Sequence, residues 1–269
     1  MTILKTKSPD YFNSKSKKLI EHLKKLGLKK NDTVLVHSNI SDIGFTDIDL
    51  KTSINILHKS LCTVIGDNGT ICVPSFYWEF NKKKVFELNK KSSLNLNIGI
   101  YSRYISGLKK SIRSLNPIAS IAALGKNAKI ICNNKTASAY GIDSPFDILT
   151  NLNAKMLFLG VDLRYMTYVH YVEQRVGVPH RYFKLHEGKI IKNGKRINLP
   201  IISFVKYSNN KIINDIEGNN KKFSQKNLLK TTIYNKKKLY LIETKKLFKF
   251  LKVKLQKDCY YLLKNIPKF

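Results

Sequence analysis

Leu19, Ile20, Leu23 and Leu26 recur at helical spacing within "SKSKKLIEHLKKL", residues 14–26, and predict an amphipathic helix that Gly27 ends. The following "DTVLVHS" is a short, unbroken apolar run and predicts a buried strand. A second helical pattern extends from about Leu50 to Ile65, stops at the turn "GDNG" and gives way to the strand "TICVPSF". Strands that are apolar on both faces and separated by helices predict a parallel sheet covered on both sides. "IASIAAL" and "AKMLFLGV" read as further core strands, residues 98–108 as a helix, and Met166–Val176 as a helix leaving the second of these strands.

The pattern changes after residue 180. "RYFKLHEGKIIKNGKRINLPIISF" carries an Asn193-Gly194 turn between short β-type runs, which predicts a β-hairpin lobe over about 181–240. The terminal "ETKKLFKFLKVKLQKDCYYLLKN" reads as a basic amphipathic helix docked by Leu247, Leu251 and Leu255. Residues 77–97 are polar and predict a loop at a site or a small insertion. The fold class expected is α/β: a central, mostly parallel sheet flanked by helices, with a small antiparallel β lobe, and residues 1–269 as one domain.

At 269 residues and 43% hydrophobic, the chain can bury a sizeable core. No apolar run approaches the ~20 residues that span a bilayer. The start, "MTILKTKSPDYFNSKSKK", lacks the apolar stretch of a secretory signal. Cys62, Cys72, Cys132 and Cys259 stand far apart with no CxxC pair, which favours reduced thiols in the cytoplasm over disulfides or zinc. The formal charge of +31 invites a nucleic-acid reading, yet only six arginines are present and no nucleic-acid motif is. The charge therefore reads mainly as lysine-rich solvated surface, with no specific nucleic-acid partner, in a field that favours anionic ligands.

Against that lysine-rich background, "MTYVHYVEQRVGVPHRY" (166–182) gathers two of the six arginines, two histidines and a glutamate. On a helix, Thr167, His170 and Glu173 line one face. That face begins beyond the strand end "LGVD", at the edge where open α/β sheets place their sites. A histidine there can accept a proton and a neighbouring carboxylate can orient it, although the same spacing also describes an ordinary surface pair. His180 and His186 read as loop or lobe residues, and no set of side chains has metal-ligand spacing. "VLVHSNISDIGF" (34–45) is a second candidate. Its strand empties into a small polar loop suited to amide or phosphate ligands. Arg113 and Ser120, in "RSLNPIASIAALGKNA", form a third.

Taken in order, "VLVHSNISDIG", "GTICVPSF", "RSLNPIASIAALG", "YGIDSPFDIL", "MLFLGVDLRYMTYVHYVEQRVGVPHR" and "YLIETKKLFKFL" resemble the aminoglycoside 3-N-acetyltransferase family, over nearly the whole chain. The resemblance implies acetyl transfer from acetyl-CoA, without a metal, to an amine of a small-molecule acceptor. It implies His170 as general base, Glu173 as its orienting partner, and Thr167 holding the imidazole or the acceptor. His37, Ser38, Ile40, Ser41, Ile43 and Gly44 would run along the pantetheine arm, with Arg113 and Ser120 as coenzyme or acceptor contacts. The family usually has His-Pro where this chain has Asn116-Pro117. A relay through Cys72 is disfavoured, because an apolar strand raises a thiol pKa. With 18 acidic against 49 basic residues, a nucleotide-linked amino sugar of surface-glycan synthesis is the expected acceptor. The alternatives are a true aminoglycoside-resistance enzyme or an inactive homologue binding CoA or a polyanion. The family reading also allows a homodimer.

Overall fold

The computed structural model describes residues 9–43, 45, 48–82, 84–90, 94, 97–133, 135–208 and 212–267. Helix α1 (Pro9–Lys25) buries Leu19 and Leu23. Gly27 follows at φ +98°, a backbone that only glycine adopts without strain, and the chain reverses there into β1 (Thr33–Ser38). Helix α2 (Leu50–Ile65) begins where the Asp49 side chain accepts the Thr52 N–H, and it leads to β2 (Thr70–Pro74), parallel to β1.

Next come β3 (Phe86–Glu87), α3 (Ile100–Ser106), β4 (Ile112–Arg113), β5 (Ile121–Gly125), α4 (Ala128–Cys132) and α5 (Pro145–Asn151). Strand β6 (Lys155–Leu159) returns to lie parallel to β1 on its other side, and α6 (Tyr168–Val176) follows it. Strands β7 (Arg181–His186), β8 (Ile190–Lys192), β9 (Lys195–Ile197) and β10 (Ile201–Lys206) precede α7 (Ile216–Gln225). The chain closes with β11 (Leu229–Tyr234), β12 (Lys237–Glu243) and α8 (Thr244–Lys257).

The large sheet has the order β11-β12-β6-β1-β2-β5-β4. Alternation along its strands sends side chains to opposite faces. Val34, Val36, Ile71 and Leu157 join the core under α1, α2 and α3. Leu35, Cys72, Met156 and Phe158 join the core with α4, α5, α6 and α8, where Leu247, Leu251 and Leu255 are buried. Two apolar layers thus clamp one sheet.

The α/β class holds, with a mixed sheet. Among the described strands of this sheet, β6, β1 and β2 pair in parallel, while β5 and β4 on one side and β12 and β11 on the other are added through antiparallel pairings. A strand buried on both faces shows the same apolar run in either direction, so its sequence carries no sign of orientation. The region expected as one lobe also divides. Strands β7 and β10 pair antiparallel, and β8 and β9 form the hairpin around Asn193 (φ 52°) and Gly194 (φ 74°). Strand β3, within the polar 77–97 segment, joins that hairpin in parallel. Strands β11 and β12 instead extend the large sheet through a second positive-φ turn at Asn235 and Lys236. Lys237 and Lys238 therefore lie on an edge hairpin.

Candidate active site

Strands β1 and β6 end side by side, Ser38 opposite Leu159. Beyond them the chain turns sharply twice, through Ile40–Ile43 and through Leu163–Tyr165. Gly160, at φ +66°, packs so closely that a Cβ there would stand 2.5 Å from the Asn39 carbonyl oxygen. Gly99, before α3, makes a similar approach: its Cβ would stand 2.6 Å from the Ser38 carbonyl oxygen. These contacts shape a cavity of about 860 Å³ at the carboxyl edge of the parallel strands. His37, Ser38, Ile40, Thr167, His170 and Glu173 all line it.

On α6, the three-residue offset sets His170 Nδ1 3.2 Å from Glu173 Oε2. Helix α6 ends at Gly177 in the left-handed conformation (φ 78°), its N–H bonded to the Glu173 carbonyl at 2.9 Å. Pro179 cannot extend the helix, so the chain doubles back and delivers His180 and Arg181 to the same carboxylate. His180 Nε2 lies 3.2 Å from Glu173 Oε1, and Arg181 Nε 2.8 Å from Oε2. Arg181 Nη2 reaches His170 Nδ1 at 2.9 Å, and Nη1 donates to the Phe204 carbonyl at 3.2 Å. Glu173 is 1% exposed. Burial pushes its carboxyl pKa up, but the Arg181 guanidinium and hydrogen bonds with His170 and His180 outweigh that and hold it well below the usual range. Burial, then Arg181, lowers the pKa of His170 against the opposing pull of Glu173. The imidazole is thus neutral near neutrality, backed by a charged carboxylate, and its side chain keeps 26% exposure toward the cavity.

His180, a loop residue by sequence, is a buried partner of Glu173. Nothing in local spacing pairs residues 173 and 180, seven apart across a helix end. The scarcity of arginine was the one available sign of Arg181. Tyr140, whose ring meets that of His170 edge-to-face at 5.4 Å, had no sequence signal at all. Thr167 lines the cavity, but its hydroxyl lies toward the Tyr165 carbonyl (3.4 Å) and not toward the imidazole.

The first loop divides too. His37 and Ser38 are notable because His37 Nε2 and Ser38 Oγ are buried without a hydrogen-bond partner, at the cavity wall. Orphaned polar atoms beside the close approach of Gly99 fit a ligand carrying amide groups, as the pantetheine arm does. Ser41 is exposed and off the cavity wall; Ile43, fully buried, packs in the core under α1 and α2. Gly44 lies outside the described residues.

Arg113 and Ser120 are not at the cavity. Arg113 Nε lies 3.2 Å from both Ser75 Oγ and Ser120 Oγ, Nη2 donates to the Ser75 carbonyl, and the guanidinium covers the Phe86 ring. Its hydrogen bonds tie β4 to Ser75, just past the end of β2, and to Ser120, just before β5, so Arg113 acts as an internal clamp. Asn116 closes its own turn by accepting the Ile118 N–H at 3.1 Å and donating to Ala137 O at 3.2 Å. Cys72 is buried in β2 and burial raises its pKa well above that of a free thiol. Among the described residues, no group of three or more His, Cys, Asp or Glu could hold a metal ion, and no helix is long and apolar enough to cross a membrane.

The family profile described as aminoglycoside 3-N-acetyltransferase matches residues 35–256. Aminoglycoside N(3)-acetyltransferase IX of Micromonospora chalcea is 29% identical over 196 residues, which cover 66% of this chain and 68% of that protein. Among solved structures, aminoglycoside acetyltransferase AAC(3)-Xa superposes with a TM-score of 0.78 at 18% identity, covering 95% of this chain and 98% of its own. AAC-IIIb, in a binary complex with CoASH, gives a TM-score of 0.72 at 19% identity, covering 90% and 96%. At these identities the superpositions speak to the fold alone.

Proposed function

From the premise that the chain belongs to the aminoglycoside 3-N-acetyltransferase family, which uses acetyl-CoA, we propose that it acetylates an amine of an aminoglycoside with His170 as the general base. The observation that carries this reading is the neutral, cavity-facing imidazole of His170 set on the buried carboxylate of Glu173. A thioester is already activated, so the protein has to place the amine and take its proton. In the proposed step the amine nitrogen bonds to the acetyl carbon, its proton passes to His170, and the carbon–sulfur bond breaks. The leaving thiolate then recovers the proton, and the imidazole is neutral again. Glu173 stabilises the transient imidazolium, an effect strengthened by its burial. His37 Nε2 and Ser38 Oγ would bond the coenzyme's amide groups, with Ile40 packing beside them. Direct transfer is favoured over a Cys72 relay because the thiol is protonated and enclosed. Residues 1–269 are read as one acetyltransferase domain, and the reduced-thiol composition supports a cytoplasmic setting.

One observation favours a second acceptor class. Among the described residues lining the cavity, Glu173 is the lone carboxylate, beside Arg164, Arg181 and Lys206. A polycationic drug gains little from such a wall, whereas an amino sugar bearing a nucleotide would be attracted. The relatives lend no support to that nucleotide-linked acceptor and favour the aminoglycoside. Thiol release from acetyl-CoA against aminoglycosides and nucleotide-linked amino sugars, at low and moderate salt, separates the two readings. Turnover of neither class, or His170→Ala retaining full turnover, would defeat the proposed mechanism.

A further inference from the structure

Two groups compete for one nitrogen of His170. Its Nδ1 lies 3.2 Å from Glu173 Oε2 and 2.9 Å from Arg181 Nη2. The carboxylate is an acceptor and needs a proton on Nδ1. The guanidinium has donors only and needs a lone pair there. A neutral imidazole carries one proton, so it can satisfy one neighbour at a time. When Nδ1 holds the proton, it donates to Glu173 and leaves Nε2 bare and basic. When Nδ1 is bare, it accepts from Arg181, and the proton sits on Nε2, which then cannot take one from an amine.

In the second arrangement Glu173 Oε2 gives up its hydrogen bond from His170 and faces the bare Nδ1 across 3.2 Å, and the carboxylate relies on its other two neighbours. Glu173 keeps His180 Nε2 at 3.2 Å from Oε1 and Arg181 Nε at 2.8 Å from Oε2. Arg181 Nη1 keeps the Phe204 carbonyl. In the first arrangement the Nη2 donor faces an N–H across a contact of 2.9 Å, which is repulsive. We propose that Arg181 sets the tautomer of His170, holding the resting enzyme with its proton on Nε2 and exposing a basic Nε2 only when Nη2 withdraws from Nδ1. This rests on the reading of His170 as proton acceptor and makes Arg181 a positioning residue, acting through the imidazole.

Other charged or titratable neighbours act from several elements. Glu173 faces His170 from its own helix, Arg181 from β7 and Lys206 from β10, while Tyr140 meets the ring from the segment before α5. His180 acts through Glu173. Arg181 and Lys206 oppose the imidazolium and Glu173 favours it. Arginine suits this role where lysine does not, because its planar fork presents separate N–H groups to two acceptors at once.

The test reads nitrogen chemical shifts of isotopically labelled histidine in the full chain without ligand, above the titration of His170. The resting wild type is expected to show a bare Nδ1 and a protonated Nε2. Arg181→Lys keeps a cation beside Glu173 but loses the fork, and the proton should move to Nδ1. Arg181→Met also removes the charge, so the acid limb of kcat/KM should shift to higher pH. A wild-type His170 already protonated on Nδ1 overturns the proposal, whether or not either variant folds. A folded Arg181→Lys chain that keeps the proton on Nε2 overturns it equally. Neither reading depends on turnover, so failure of the general-base assignment, seen as an active His170→Ala, is a separate result.

Discussion

The imidazole of His37 lies flat on the ring of Phe158, centroids 5.0 Å apart and planes within 9°. The two residues are register partners on adjacent parallel strands, so the stack is held by the sheet itself. It buries His37 and leaves Nε2 at the cavity wall without a partner. His37→Phe keeps the stacked ring and removes the polar atom. CoA affinity should then weaken roughly two- to tenfold, as expected for one neutral hydrogen bond. Titration calorimetry showing equal affinity in the folded variant would release His37 from coenzyme binding.

The same residue has a pH signature. Burial lowers its pKa from 6.5 to about 4, so the unfolded chain binds this proton more readily than the folded one. Stability should therefore fall as pH drops from about 6.5 toward about 4, by roughly 3 kcal/mol from this group, and be unaffected by it above that window. Urea unfolding of wild type and His37→Phe across the window measures it. The variant should lose less stability on acidification; parallel curves would show that His37 is not the source.

Glu173→Gln should damage the fold as well as turnover. Glu173 is the charged partner of the buried Arg181 guanidinium. Leaving that cation unpaired should cost about 3–5 kcal/mol. Adding Arg181→Met should recover much of the loss, because both charges are then gone. Thermal unfolding of the single and double variants tests this, and additive losses would mean the pair is not coupled.

Gly99→Ala probes the approach of α3 to the first loop. The new Cβ would meet the Ser38 carbonyl oxygen at 2.6 Å, a backbone atom that cannot swing aside. The loop carrying Ser38 must move, so CoA binding should weaken while the fold persists. Unchanged affinity would place the coenzyme elsewhere.

Cys72→Ala should retain turnover. Its thiol is enclosed in the core and burial holds it protonated. Removing one sulfur from a packed strand should cost stability on the order of 1 kcal/mol. Loss of thiol release in a folded variant, or an acetylated Cys72 seen by mass spectrometry, would revive a covalent relay.

Much was legible because it is local. Leu19 and Leu23 are one helical turn apart, and Asn193-Gly194 supplies two positive-φ residues where a hairpin needs them. His170 and Glu173 meet because three residues of helix place them on one face. Arg113 is a rare arginine that lies away from the cavity. A rare arginine marks a demanding position, and only packing tells whether the demand is a ligand's or the core's. Its neighbours Ser75, Ser120 and Phe86 come from three separate stretches of chain.

The sequence by itself determined the long helices and the buried central strands, and which histidine faces which glutamate across one helical turn. These follow from backbone geometry over a few residues and need no knowledge of the rest of the chain. Tertiary structure alone decided the direction of β5, the retreat of Arg113 into a clamp, and the return of His180 and Arg181 to Glu173. Each depends on which distant surfaces bury one another. Such a choice is settled by the packing of all the layers together, and no short stretch of residues contains it.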